Sequence, residues 1–441
     1  MPEPPAPTSI AVAPLALAEP VGADRLALRR QLSLSVLWLG LNFQSSALLP
    51  IVVPAQILLL VDRGAVASSN QALAVSALSV GAAAAAIVVT PFAGVLSDRV
   101  RSRFGRRRQL IVAGVLVALL GQVGLAITTP LLVFVAGFAI VQLGTNAATA
   151  AYQGLLPDSV GSSQRGVASG WLGLMTIAGS VGSLALAGVL LSDVSSGPQL
   201  SAEVTHGAAL FYAASAAVLV VCTVATVVGV RERPVLAPST AAPPWTNLLR
   251  HQPFRIVFAA RALVMIGLTL FLTYIEYYLA RVNGSSTFVG ATVAIVLLAL
   301  LGALTSSLVL GMASDRIPRV RIVTVANLLM AAAACVFVVA PTDMPLAPLG
   351  LLFGLGYGAY LSVDWALAID SLPSSASSAR DLGIFSLSIN LPTLVAPALG
   401  GAVIVIADAL GAPGLAYRIV FTVAAVSLLL GVFVVRRVRF T

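Results

Sequence analysis

The chain has 441 residues, of which 59% are hydrophobic and 9% charged, with a mean hydropathy of +1.01 and a formal charge of +9. A soluble domain carries roughly a quarter charged residues, so this composition excludes a water-dissolved globule and calls for an outer surface that faces lipid. The positive charge is all Arg, placed in short loops between apolar runs; that distribution is one of membrane topology and not of a nucleic-acid surface.

In chain order, residues 1–24 are rich in Pro and Ala, with no basic segment before the apolar stretch. They read as a cytoplasmic tail and not as a cleaved signal peptide. A membrane-crossing helix needs about 20 mostly apolar residues. Runs of that kind fall near 32–59, 71–96, 109–128, 131–155, 166–191 and 207–230. A second set falls near 254–280, 286–312, 321–340, 346–369, 382–407 and 415–435. Pro50 and Pro54 are expected to bend the first helix, and Pro392 and Pro397 the eleventh. Cys222 and Cys335 lie in apolar runs, and His206 and His251 are isolated near span ends, so neither a disulfide framework nor a metal site is expected.

Loop arginines set the orientation. Of the 25, all but Arg63, Arg281, Arg418 and the intraspan Arg261 fall on one side, together with both termini. That side is assigned to the cytoplasm of a multi-pass inner (plasma) membrane protein, and the span count must be even. The polar connection Arg231–Gln252 divides the spans six and six. The sequence echoes itself across it: GVLSDR from Gly94 returns as GMASDR from Gly311, and Tyr152–Gly166 is answered by Tyr360–Gly383. Two repeats around a central path are the expected arrangement. The organisation is a tail at 1–30, a bundle at 31–230, a cytoplasmic linker at 231–252, and a second bundle with a short basic tail at 253–441.

The run G-x-L-S-D-R followed by F-G-R-R-R, between the second and third spans, resembles the signature loop of the major facilitator superfamily. The resemblance covers about residues 31–437. Between Asp-Arg and the aromatic-Gly-Arg element the chain carries Val100–Arg103; this longer form, and the tract VDWALAIDSLP…ARDLGIF, are similar to the sucrose–proton symporters and the glycoside-pentoside-hexuronide group. The resemblance implies an all-α integral membrane fold: twelve transmembrane helices in two six-helix bundles with pseudo-twofold symmetry. It implies alternating access, with no cofactor, and a latch between the bundles at Gly94, Asp98, Arg99 and Arg106, answered by Asp315 in the second repeat. The same arginines also serve topology alone.

In that family the first, fourth, seventh and tenth spans line the cavity, and here they carry polar stripes. The fourth has Gln142, Asn146, Thr149 and Gln153 on one helical face; the tenth has Tyr357, Tyr360 and Asp364; the seventh has Thr269, Thr273 and Glu276, with Tyr274, Tyr277 and Tyr278 nearby; the first has Asn42, Gln44 and Ser45 near Trp38. Amides and tyrosines at Asn42, Gln44, Gln142, Asn146, Tyr274, Tyr357 and Tyr360 suit a polyhydroxylated ligand. They equally suit interhelical hydrogen bonds, and Tyr277 and Tyr278 suit an interfacial belt. Ionisable groups inside spans are costly and mark function, which makes Asp364, Glu276 and Arg261 the candidates for proton coupling; Glu276 and Arg261 could instead snorkel to the interface. The second span has no Asp or Glu before Asp98, so a sodium site like that of the melibiose carriers is not expected.

The expected function is transport of a small polar solute, most simply a sugar, with a proton or uncoupled, by a monomer in the bilayer. The alternative is drug–proton antiport, although the fifth span lacks the Gly-x-x-x-Gly-Pro element of such exporters. A transporter-shaped sensor would carry a large extra domain, and none is visible. An enzyme is not expected, since the sequence has no nucleotide-binding loop and no plausible nucleophile–base pair.

Overall fold

A computed structural model describes residues 28–67, 70–100, 105–127, 130–161, 164–191, 200–230, 232, 245–279, 282, 288–314, 316–341, 344–373, 378–411 and 413–438. A backbone immersed in hydrocarbon has to bond to itself, which selects helices. The chain forms α1 (Leu28–Ser46), a π-helical turn (Leu48–Val52), α2 (Val53–Asp62), α3 (Gln71–Arg99), α4 (Arg106–Ile127), α5 (Leu131–Ser159), α6 (Arg165–Leu190) and α7 (Leu200–Gly229). After a short α8 (Trp245–Arg250) come α9 (Gln252–Tyr278), α10 (Phe288–Ala313), α11 (Arg319–Val339), α12 (Ala347–Asp370), α13 (Ser378–Phe385), α14 (Leu387–Ala409) and α15 (Pro413–Val435). Among the described residues, twelve helical segments are long and apolar enough to cross a membrane. Large apolar side chains cover their outer faces; Leu132 is 78% exposed and Phe92 73%.

The first span breaks where its prolines remove backbone donors. Pro50 lies in the π turn and Pro54 in the first turn of α2, where a missing N–H costs nothing. Ala47 N–H just before the turn donates to Ser183 Oγ of α6 at 3.1 Å. The eleventh span is divided at another place. Pro392 and Pro397 lie inside α14, and the interruption between α13 and α14 falls at Ser386. Main-chain bonds still run through it, from Ser386 N–H to Leu382 O at 2.9 Å and from Asn390 N–H to Ser386 O at 3.1 Å, while its hydroxyl meets Leu382 O at 3.0 Å and, across the molecule, Gln153 Oε1 at 3.1 Å.

Each six-span half is sewn together by bare backbone. Gly350, Gly354 and Gly358 of α12 lie against the backbone of Ile295, Ala299 and Ala303 of α10, and Gly114 and Gly121 of α4 against α5. The second half adds an aromatic core in which Phe271 stacks on Phe353 at 4.0 Å and Phe337 on Phe421 at 4.9 Å. Between halves, α3 and α5 meet α13, and α6 meets α10 and α12. At the α6–α10 crossing, Gly170 and Gly311 stand backbone to backbone. A Cβ at Gly354 would drive into the Ala299 backbone, whereas one at Gly188 meets nothing within 4 Å. Gly354→Val is therefore expected to cost about 2–3 kcal/mol by overpacking. Thermal unfolding in detergent should show a lower midpoint for that variant and no change for Gly188→Val.

Candidate functional site

A charge buried among apolar helices persists only when paired and hydrogen-bonded. Arg261, in α9, and Asp364, in α12, meet that requirement in each other: Arg261 Nη2 lies 2.5 Å from Asp364 Oδ2, and the pair is almost wholly buried. Tyr360, one turn earlier on α12, donates its hydroxyl to Asp364 Oδ1 at 2.9 Å. The Arg261 guanidinium carbon sits 4.6 Å from the centre of the Phe385 ring and 5.5 Å from that of Trp365. Among the described residues nothing accepts a hydrogen bond from its Nε or Nη1.

Aromatic rings carry this cluster across to the other half. Trp365 meets Trp38 of α1 edge-on at 5.5 Å, and Trp38 stacks on Tyr152 of α5 at 5.6 Å. Trp38 is fixed by its Nε1–H to Thr176 Oγ1 at 2.7 Å, and Tyr152 by its hydroxyl to Leu34 O at 2.7 Å. The cluster lies about 9 Å from the arginine-rich end, since six residues at about 1.5 Å each separate Asp364 from the end of α12.

At that end the two halves are bolted together. Gly94 lets α3 approach so closely that a Cβ would lie 2.5 Å from the Ala379 carbonyl oxygen. Asp98, one turn on, then faces the N-terminus of α13 and accepts the backbone N–H of Arg380 at 2.8 Å and of Ala379 at 3.4 Å. A carboxylate at that position matches the positive end of the helix dipole. The fully buried Arg107 ties the group: it reaches Asp98 at 2.7 Å, Asp158 at 2.9 Å, Ser97 Oγ at 3.0 Å and Ser378 Oγ at 3.1 Å. Asp370, the counterpart of Asp158 in the second repeat, pairs with Arg165 of the opposite half at 2.7 Å and with Arg319 of its own. Glu232, just past α7, caps α4 by accepting the N–H groups of Arg107 and Arg108 at 3.0 and 3.1 Å. Burial pushes the Glu232 carboxyl above its ordinary range, against the opposing pull of the Arg107 N–H and of the Arg108 and Arg107 charges.

The expected site residues fall into distinct groups. Tyr360, Asp364 and Arg261 come together, and Arg261 turns inward to its partner and does not reach for the interface. Asn42 donates to Trp38 O of its own helix at 2.8 Å; Gln44 donates to Thr145 at 2.9 Å and its Oε1 has no partner among the described residues. Asn146 donates to Gln142 O at 2.7 Å and accepts from Thr90 at 3.3 Å. Gln142 lines an apolar cavity of about 640 Å³ between α3 and α5, reaching Ile57 of α2. Tyr274 bonds Pro397 O at 2.6 Å, and Tyr357 packs, partly buried, on the apolar core that both halves share. Tyr278 corrects the belt expectation: it is fully buried against Phe421 and Phe337, while Tyr277 is 56% exposed. Arg106 pairs with Asp158 at 2.9 Å and Arg99 is exposed. Asp315, residues 101–104 and the side chain of Glu276 lie outside the described residues. Arg107 and Trp365 are the residues that sequence reasoning passed over; the signal for Arg107 was its place in the F-G-R-R-R run.

A search of curated proteins finds no match to this chain. Among solved structures it is similar to the E. coli fucose:proton symporter FucP, with a TM-score of 0.68 at 14% identity over 91% of this chain and 97% of that one. A structure of FucP in the outward conformation gives 0.65 at 16% over 91% and 97%. A bacterial homologue of the iron transporter ferroportin, in an outward-facing state, gives 0.67 at 16% over 93% and 99%. Identities this low speak for the fold alone. The family model described as Major Facilitator Superfamily matches residues 32–379 and 257–441. The chain therefore belongs to the Major Facilitator Superfamily, as a multi-pass membrane transporter.

Proposed function

We propose that this protein carries a small polar solute, a sugar or glycoside, across the plasma membrane by alternating access, with a proton handled at Asp364 and both termini in the cytoplasm. The observation that carries the reading is the buried Arg261–Asp364 pair, flanked by Trp38, Tyr152 and Trp365 from both halves just above a sealed arginine-rich end. Ring faces suit the C–H surfaces of a sugar, the free edge of Arg261 offers directional donors to its hydroxyls, and the Tyr360 oxygen, its proton on Asp364, offers an acceptor. The longer signature loop, similar to that of the sucrose–proton symporters, supports the same substrate class. On this reading the arginine-rich end, at which the halves are locked, faces the cytoplasm, and the solute enters from the opposite side. Rocking the halves then breaks the Asp98 and Asp370 locks and opens the cytoplasmic side.

In proteoliposomes with an inward proton gradient, labelled neutral saccharides should accumulate, and a protonophore should abolish the accumulation. Absence of both accumulation and exchange for every saccharide tested would remove the sugar assignment. The apolar cavity beside Gln142 favours a second reading, antiport of hydrophobic compounds. Faster, energy-dependent ethidium efflux from cells overproducing the protein would select it.

A further inference from the structure

Three arginines in succession open α4. Two are committed: Arg106 holds Asp158, and Arg107 holds Asp98 and Asp158. The third is not. The Arg108 side chain is half-buried, its Nε is closed off from solvent with no hydrogen-bond partner, and no carboxylate among the described residues lies within ion-pair distance of it. It stands at the head of a groove of about 410 Å³ between α4 and α7, which continues over Gln109, Val112, Leu116 and Val227. From Arg108 to Leu116 the groove follows α4 for about 12 Å, away from the arginine-rich end. Leu116 is 56% exposed and Val112 36%, so the groove opens on the outer face of the bundle, where hydrocarbon lies.

A cation at the membrane rim followed by an apolar trough toward the bilayer core matches one kind of molecule. We infer that this groove holds an anionic phospholipid, its phosphate on the Arg108 guanidinium and one acyl chain along Val112, Leu116 and Val227. Guanidinium pairs well with phosphate, and juxtamembrane arginine attracts anionic headgroups. A zwitterionic lipid offers the same chain but places a cation beside the arginine. The site is separate from the solute cluster around Asp364. It borders the latch, because Arg108 shares Glu232 with Arg107 through the first turn of α4. An occupied site steadies the turn from which Arg107 reaches Asp98.

Native mass spectrometry of the delipidated full chain, titrated with dioleoyl phosphatidylglycerol or dioleoyl phosphatidylcholine, tests this. The wild type should retain the anionic phosphatidylglycerol about tenfold better than the phosphatidylcholine. Arg108→Gln should lose that preference; Leu116→Trp, which fills the trough and keeps the charge, should lose it as well. Arg99→Gln, which removes an exposed arginine from the same end, should keep it. Equal retention of the two lipids by the wild type, or a preference intact in both R108Q and L116W, overturns the proposal. So does thermal stabilisation by inorganic phosphate equal to that by the lipid, which would make the trough irrelevant.

Discussion

Asp98→Ala is expected to unlock the arginine-rich end of the carrier and to abolish most transport while leaving the protein folded and inserted. The Asp98 carboxylate gives the N-terminus of α13 its acceptor from the opposite half, at 2.8 Å to Arg380 N–H, and it holds Arg107 by one of that residue's two carboxylate contacts. Hydrogen bonds to a charged group contribute about 1.5–3 kcal/mol each, so about 2.8 kcal/mol lost from the closed state alone moves the closed-to-open ratio on the order of 100-fold. Arg107 keeps Asp158 and is not left as an isolated buried charge. Spin labels at R99C and R316C, exposed positions in opposite halves, should report a longer separation in the variant once Cys222 and Cys335 have been replaced. Asp98→Asn should fall between, because its amide oxygen still accepts one N–H without a charge. Wild-type separations in Asp98→Ala would mean that Asp370 with Arg165 closes this end unaided.

Asp364→Ala should have the larger effect on the protein itself. It strands Arg261, which is 3% exposed, among Phe385, Trp365 and Tyr360, and removing one partner of a buried pair costs about 3–5 kcal/mol. Replacing both members by apolar residues of similar size often restores stability. Arg261→Met with Asp364→Leu should therefore recover the thermal midpoint lost in Asp364→Ala, while solute uptake stays down by at least about 100-fold, the equivalent of roughly 2.8 kcal/mol of lost interaction. The separation of stability from uptake is the readout. Near-normal uptake in the double variant would reduce the pair to a structural tie.

The spans were legible because a bilayer imposes length and apolarity on every one of them, whatever its neighbours. Their ends were not: α3 runs on to Arg99 and α7 begins at Leu200, since a helix continues past the hydrocarbon wherever polar residues still favour it. The prolines of the first span were readable as a break because the cause is local. The contact of Ser386 in the eleventh with Gln153 was not, because the two lie far apart in sequence. The site divides in the same way. Arg261 and Asp364 each stood out as ionisable groups in apolar runs, but their pairing spans 103 positions and is tertiary. The stripe on the fourth span meets different surroundings along its length: Gln153 meets Ser386, Asn146 meets Thr90, and Gln142 faces an apolar cavity. One long helix passes different neighbours at different depths, and periodicity records only the direction in which it looks.

Where α6 crosses α10, Gly170 and Gly311 press bare main chain on bare main chain. Side chains that interdigitate behave as gear teeth, and a turn of one helix over the other must unseat them. Two smooth surfaces have no teeth to strip. The crossing can act as a fulcrum that turns with little friction, leaving the barrier to reorientation to the charged clasps at the rim.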